Sequence, residues 1–290
     1  MKCKASFFGM KKMPRLDISE EVLKELANDA SKKGLTVAGV QKKISLHLKE
    51  DSDSRLTLIG YPAGYILKPQ SNEYSQLPEV EDLTMDMAEI TGIKVVPHGL
   101  IKMKDGNLAY ITKRIDRIDN RKLAMEDFCQ LSERLTENKY KSSYEQCAKV
   151  IKKYSSRPGL DMSELFLRLV FCFVTGNSDM HLKNFALIEN DSELYSLSPA
   201  YDLLSVNLVN PEDTDQTALT LCGKRKNIKR EDFMQYAAAV GLSPKVAEAM
   251  IAKVIACEEK YYDMVDSSYL SNGLKQEYKA LVKERLLALK

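Results

Sequence analysis

The sequence predicts an α+β fold with a small β-rich N-terminal part and a larger, mainly helical C-terminal part. Three observations predict it. Up to about residue 118, short runs of strand composition are separated by glycine-marked turns and two helical stretches. From about residue 121 the chain turns mainly helical. Within that second part, 163–175 (SELFLRLVFCFVT) is apolar on nearly every face, as expected of a helix running through a core.

The elements follow in order. Residues 19–33 read as a helix with Ser19 as N-cap and Gly34 past its end. Segments 43–48 (KISLHL), 56–59 (LTLI) and 64–68 (GYILK) have strand composition. Residues 78–91 read as a helix with the good helix formers Met85, Ala88 and Glu89, closed by Gly92. Strands at 98–103 and 108–114 are joined by Asp105-Gly106, a strong hairpin signal. The joint between the two parts falls near 113–120, which gives domains 1–118 and 119–290. Beyond the apolar helix, a polar loop at 176–184 leads into a hairpin formed by FALIE, Asn190-Asp191 and ELYSL. Helices resume after 230, one of them opened by Ser243-Pro244, an N-cap followed by proline at the first helical position.

Composition narrows the function. In 290 residues, 43 basic and 41 acidic side chains leave a net charge of +2, which gives no support to a broad nucleic-acid-binding face. The run Lys224, Arg225, Lys226, Lys229, Arg230 reads either as a local basic patch or as a solvated loop. No stretch reaches the roughly 18 apolar residues of a membrane span, and no apolar run near the start precedes a cleavage site. A cytoplasmic location is expected. Six cysteines without a CxxC pair read as reduced thiols, and three histidines without HExxH spacing argue against zinc.

The chemistry-bearing segment is Gly176-Asn-Ser-Asp-Met-His-Leu-Lys-Asn184. It lies between a core helix and a hairpin, so a rigid scaffold holds its polar side chains. Asp179 and Asn184 stand five apart, the spacing of a protein-kinase catalytic loop. An aspartate there orients an acceptor hydroxyl and takes its proton; an asparagine gives Mg²⁺ a neutral oxygen. Lys183 is placed to face a γ-phosphate. His181 belongs to the same nucleotide site and is expected to organise the loop by hydrogen bonding rather than act as an acid or base. Asp202, past the hairpin, supplies the second metal ligand, and one carboxylate with one amide suffices for Mg²⁺ bound through phosphates. In the N-terminal part, the segment from Gly34 to Lys43, with Gly39, offers backbone amides to phosphates. Lys68, at the end of an apolar run, is suited to the α- and β-phosphates, and Glu81 to pairing with it. Each has a plainer reading: a turn, a surface lysine, a solvated glutamate, a turn-capping aspartate. The ordered set Asp, Asn, hairpin, Asp favours the chemical one.

At these residues the chain resembles the HipA-like serine/threonine kinases, toxins of bacterial toxin–antitoxin systems. The resemblance covers roughly residues 30–240. It rests on Thr36–Lys42 (TVAGVQK), Tyr65–Lys68 (YILK), Tyr110–Arg117 (YITKRIDR), Glu126–Gln130 (EDFCQ), Gly176–Phe185 (GNSDMHLKNF) and Tyr201–Ser205 (YDLLS). It implies a protein-kinase-like, two-lobed fold that uses ATP and Mg²⁺. Asp179 would be the base, Asn184 and Asp202 the metal ligands, and Lys68 a phosphate contact. Val37, Ala38, Gly39 and Lys42 would form the loop over the nucleotide. Lys113, Arg114 and Ile115 would meet adenine, and Gln130 would be the family's nucleotide-site glutamine. Thr36 stands where the family carries an autophosphorylated serine; a phosphate there, at −1.5 to −2 charges, would repel the loop from ATP. The implied substrate is a protein, such as an aminoacyl-tRNA synthetase. Implied partners are a HipB-like DNA-binding antitoxin and, because the family's extra N-terminal subdomain is missing as in HipT-like forms, a small HipS-like protein. Two other classes stand beside this reading: a catalytically silent ATP-binding regulatory partner, and a metal-dependent phosphohydrolase using Asp179, His181 and Asp202.

Overall fold

The computed structural model describes residues 7–8, 15–16, 43–49, 55–57, 64–71, 73–118, 121–190 and 194–290. The helix expected at 19–33 and the glycine-rich segment through Lys42 lie outside these residues. Two compact units are present. Described residues within 1–82 and 96–122 form the first, and those within 83–95 and 123–290 the second.

The first unit is built on a six-stranded sheet. Its strands are β1 (Arg15–Leu16), β2 (Ile44–Lys49), β3 (Arg55–Thr57), β4 (Tyr65–Pro69), β5 (His98–Lys102) and β6 (Leu108–Lys113), in the order β1-β3-β2-β4-β6-β5. All pairings are antiparallel except β1 with β3. Alternation assigns the faces. Leu46, Leu67, Ala109 and Ile111 are buried in one apolar cluster, with Leu67 opposite Ile111 in register. Lys68 therefore points to the other face, opposite Tyr110, with Nζ 5.3 Å from that ring's centroid. The β5–β6 hairpin turns where expected: Asp105 Oδ1 accepts from the Asn107 amide at 3.0 Å, and Gly106 supplies φ of +92°.

Helix α1 spans Leu77–Ile90, and the division between the units falls inside it. Residues 83–95, expected with the N-terminal part, cluster with the C-terminal unit. The reason is a set of contacts that no local pattern encodes. Thr84 and Tyr278 hydroxyls hydrogen-bond at 2.9 Å, Thr91 and Tyr261 at 2.5 Å, and the Ala200 amide donates to Lys94 O at 2.7 Å.

The second unit is mainly helical. Its elements include α2 (Phe128–Leu131), α3 (Tyr144–Tyr154), α4 (Pro158–Val174), α5 (Val206–Val209), α6 (Arg230–Ala239), α7 (Pro244–Ile255), α8 (Glu258–Ser267) and α9 (Asn272–Leu287). Helix α4 is the core element, with Phe166, Phe171 and Phe173 fully buried. It starts five residues before the expected 163. Pro158 occupies its first turn, where a missing N–H costs nothing. The buried Asp161 carboxylate then ties that turn down, accepting from Leu197 N at 2.7 Å and Ser155 Oγ at 2.6 Å. Strands β7 (Arg117–Ile118) and β8 (Arg121–Lys122) form a short antiparallel pair in the first unit. In the second, a three-residue strand, β9 (Met125–Asp127), pairs antiparallel with β10 (Ala186–Glu189), which pairs in turn with β11 (Tyr195–Leu197). Helix α7 begins at Ser243-Pro244 as expected, Ser243 Oγ accepting from the Val246 amide.

Candidate active site

The candidate residues fall into two groups, each described within its own unit. In the first, Lys68 Nζ donates to Glu81 Oε1 in an ion pair with both residues buried, 3% and 1% exposed. Strand β4 lies inside the sheet and so holds the lysine rigidly, while the second turn of α1 presents the glutamate. Of the segment read as meeting adenine, Lys113 ends β6 and its amide donates to Pro97 O at 2.9 Å. The Arg114 guanidinium makes a two-pronged contact with Asp116, at 2.9 and 2.8 Å, and Arg117 Nη1 adds a third bond at 3.0 Å. Burial pushes the Asp116 carboxyl up, but the hydrogen bond from Arg114 and the charges of Arg114 and Arg117 outweigh it and hold it below its usual value. Arg114 is thus engaged in shaping its own loop; Ile115 lies between these charged residues. Thr36, Val37, Ala38, Gly39 and Lys42 fall outside the described residues.

In the second unit the polar loop begins at Gly176, whose φ of +68° ends α4 sharply. A side chain there would also collide: a Cβ would stand 2.7 Å from Leu281 Cδ2 and 3.3 Å from Asn207 Cβ. The loop is then tied to itself. Asn177 Oδ1 accepts from the Asp179 amide at 3.1 Å. The Asp179 carbonyl accepts from the His181 amide at 2.8 Å and from Asn184 Nδ2 at 2.9 Å. That last bond fixes the orientation of the Asn184 amide, because a carbonyl needs the NH₂ end. Asn184 Oδ1 is left as its acceptor atom.

Asp179 and Asn184 therefore sit on one rigid loop, with the aspartate carboxylate partly exposed. Tyr140 Oη donates to Asp179 Oδ1, and His181 Nε2 lies 4.0 Å from the same oxygen. His181 is buried and meets the Tyr140 ring edge-on, centroids 4.8 Å apart. Lys183 Nζ binds Asp127 Oδ2 at 2.7 Å. Asp127 caps α2 in a reciprocal box with Gln130, at 2.9 and 3.0 Å, so Lys183 and Gln130 meet through one carboxylate. After the hairpin, Tyr201 Oη donates to Lys183 O at 3.1 Å. Asp202 then adopts φ of +60°, a left-handed conformation that is uncommon outside glycine and tends to mark functional sites.

Asp202 and Asn184 fit a magnesium ion by donor chemistry. One carboxylate and one amide oxygen are hard oxygen ligands, and phosphates and water complete such a site. The residues that sequence reasoning missed are Tyr140 and Asp127. Tyr140 lies 39 residues before Asp179 with no motif of its own; Asp127 stood inside the Glu126–Gln130 motif but was assigned no role. The basic run is largely solvent-exposed, and four of its five residues face carboxylates. Lys224 binds Asp232 at 2.7 Å, Lys226 and Arg225 lie 3.6 and 3.8 Å from Asp215, and Arg230 pairs with Glu248.

A sheet unit with a buried lysine–glutamate pair, and a helical unit with a self-tied Asp-x-x-x-x-Asn loop, make this a protein-kinase-like fold. Solved structures that share it include HipA of Shewanella oneidensis MR-1, determined as a toxin–antitoxin complex with HipB and operator DNA. It matches with a TM-score of 0.74 at 17% identity over 92% of this chain and 70% of that one. The Helicobacter pylori proinflammatory kinase CtkA matches with a TM-score of 0.59 at 16% identity, over 80% and 90%. Residues 35–261 match the HipA-like C-terminal domain, and the chain belongs to that family. A Sinorhizobium fredii protein named "Putative kinase Y4dM" is 32% identical over 73% of this chain, and a Haemophilus influenzae "Putative kinase" 27% identical over 82%. The chain spans 55% of the Sinorhizobium protein's length and 76% of the Haemophilus protein's. Among the described residues, no helix is long and apolar enough to cross a membrane.

Proposed function

We propose that the chain is an ATP- and Mg²⁺-dependent protein kinase that phosphorylates serine or threonine. The observation that carries the reading is the self-tied loop that fixes Asp179 and Asn184 five residues apart, Asn184 bonding the Asp179 carbonyl at 2.9 Å. In this reading Asp179 orients the acceptor hydroxyl and takes its proton as the new O–P bond forms and the bond to ADP breaks. Lys68, held by Glu81, contacts the ATP phosphates. Asn184 and Asp202 would hold Mg²⁺, which neutralises phosphate charge when bound. Lys183, Gln130 and Asp127 form one hydrogen-bonded group beside that loop, and His181 packs behind Asp179. Thr36 is the candidate autophosphorylation site. Catalysis of this kind is mostly positioning, which suits residues held by short backbone ties.

The likeness to HipA, solved with HipB and operator DNA, supports a place in a toxin–antitoxin system with a HipB-like antitoxin as partner; the proposed substrate is a protein, such as one of translation. The test is incubation with Mg²⁺ and γ-labelled ATP, read by intact mass and site mapping, beside Asp179→Ala. Phosphate on the wild type, absent from a variant that melts within about 2 °C of it, is the expected result. Equal labelling of Asp179→Ala would remove the assignment of the base.

A further inference from the structure

The carboxylate of Asp179 is met by a hydroxyl from the chain itself. Tyr140 follows a 3-10 turn, Thr136–Asn138, in the connection between α2 and α3, and its Oη donates to Asp179 Oδ1. Two hydrogen bonds to backbone carbonyls set this placement. The Tyr140 carbonyl accepts from Arg225 Nη2 at 2.8 Å, and the Lys139 carbonyl from the Leu182 amide at 3.3 Å. The connection is thus pinned to the catalytic loop on one side and to the 224–230 loop on the other. Tyr140 nevertheless stays 38% exposed, so its ring can swing out into solvent without unpacking a core.

The base of a phosphoryl transfer accepts a hydrogen bond from the incoming hydroxyl. Tyr140 Oη makes that bond to Asp179. It also stays protonated: burial, then the hydrogen bond to Asp179 and the charges of Asp179, Asp202 and Asp213, push its phenol well above the usual range. We propose that Tyr140 is a built-in competitor of the acceptor hydroxyl, occupying Asp179 until a protein substrate displaces it, with Arg225 holding the competitor in place. The proposal rests on the kinase reading and goes beyond it, by making access to the base a competition between two hydroxyls.

The experiment measures initial rates of transfer from Mg·ATP to dephosphorylated casein, using the full chain, its Tyr140→Phe and Arg225→Ala variants, and Asp179→Ala as blank. Tyr140→Phe keeps the ring against His181 and removes only the hydroxyl. It should lower the KM for casein about tenfold, the low end for losing a hydrogen bond to a charged group from the competing state, with kcat undiminished. Arg225→Ala should shift KM the same way by less. A silent wild type with an active Tyr140→Phe would support the competition most directly. A fall in kcat at unchanged KM would mean that the phenol positions Asp179 instead and would overturn the proposal, as would unchanged constants in both variants. If Mg·ATP binds by calorimetry but neither wild type nor Tyr140→Phe labels casein or itself, the kinase reading fails and the competition with it. That outcome is distinct from an active pair with equal KM, which sinks the competition alone.

Discussion

Replacing Glu81 by leucine tests the buried ion pair directly. Lys68 and Glu81 are 3% and 1% exposed, so neither can turn to water once its partner is gone. Removing one member of such a pair strands a charge in a low-dielectric interior, at about 3–5 kcal/mol. At about 2–4 °C per kcal/mol, the scale for chains of a few hundred residues, the melting temperature should fall by roughly 6–20 °C. The double variant Lys68→Met, Glu81→Leu removes both charges and keeps most of the volume, so it should recover to within about 1–2 kcal/mol of wild type. It should still fail to bind Mg·ATP tightly. Urea denaturation followed by circular dichroism gives the stabilities, and calorimetry the nucleotide affinity. A Glu81→Leu cost below about 1 kcal/mol would refute the reasoning, since a loss that small belongs to a solvated surface pair. Recovery of both stability and nucleotide binding in the double variant would show that the pair shapes the fold and takes no part in the site.

The remaining predictions concern single contacts. Asp116 is held below its ordinary pKa by Arg114 and Arg117 against the opposing effect of burial. Its stabilising contribution is therefore present above the unfolded-state value of about 4 and is lost as pH falls through the lower folded value. Asp116→Asn should cost about 1–3 kcal/mol at pH 7, and its gap from wild type in urea midpoint should close below about pH 4; a gap that widens on acidification would invert the sign. Asp161→Ala strips the buried Leu197 amide of its 2.7 Å acceptor and should cost about 1–3 kcal/mol. Hydrogen exchange at Leu197 should rise with it, and unchanged protection there would show that the amide finds another partner.

Much of the fold was legible because it is encoded within short stretches. The Asp105-Gly106 turn, the Gly92 stop of α1 and the Ser243-Pro244 start of α7 are local chemistry, and each lies where the residues place it. The start of α4 was missed because its first turn opens on Pro158-Gly159, a pair that locally signals a turn rather than a helix. Its anchor, Asp161, bonds an amide 36 residues further on. Strand β9 was missed for a similar reason. Three residues carry no periodicity, and their partner β10 lies about sixty residues away.

The candidate site divides along the same line. The sequence by itself determined the spacing of Asp179 and Asn184, the hairpin that carries the chain to Asp202, and the lysine and glutamate of the ion pair. These are set by covalent distance along one loop, one strand and one helix. Only the tertiary structure decided that Tyr140 meets Asp179, that Lys183 binds Asp127, and that residues 83–95 pack with the helical unit. Such contacts join segments that are remote in sequence. They depend on how hydroxyls, amines and carboxylates find partners once the core has formed, and no spacing along the chain records that choice.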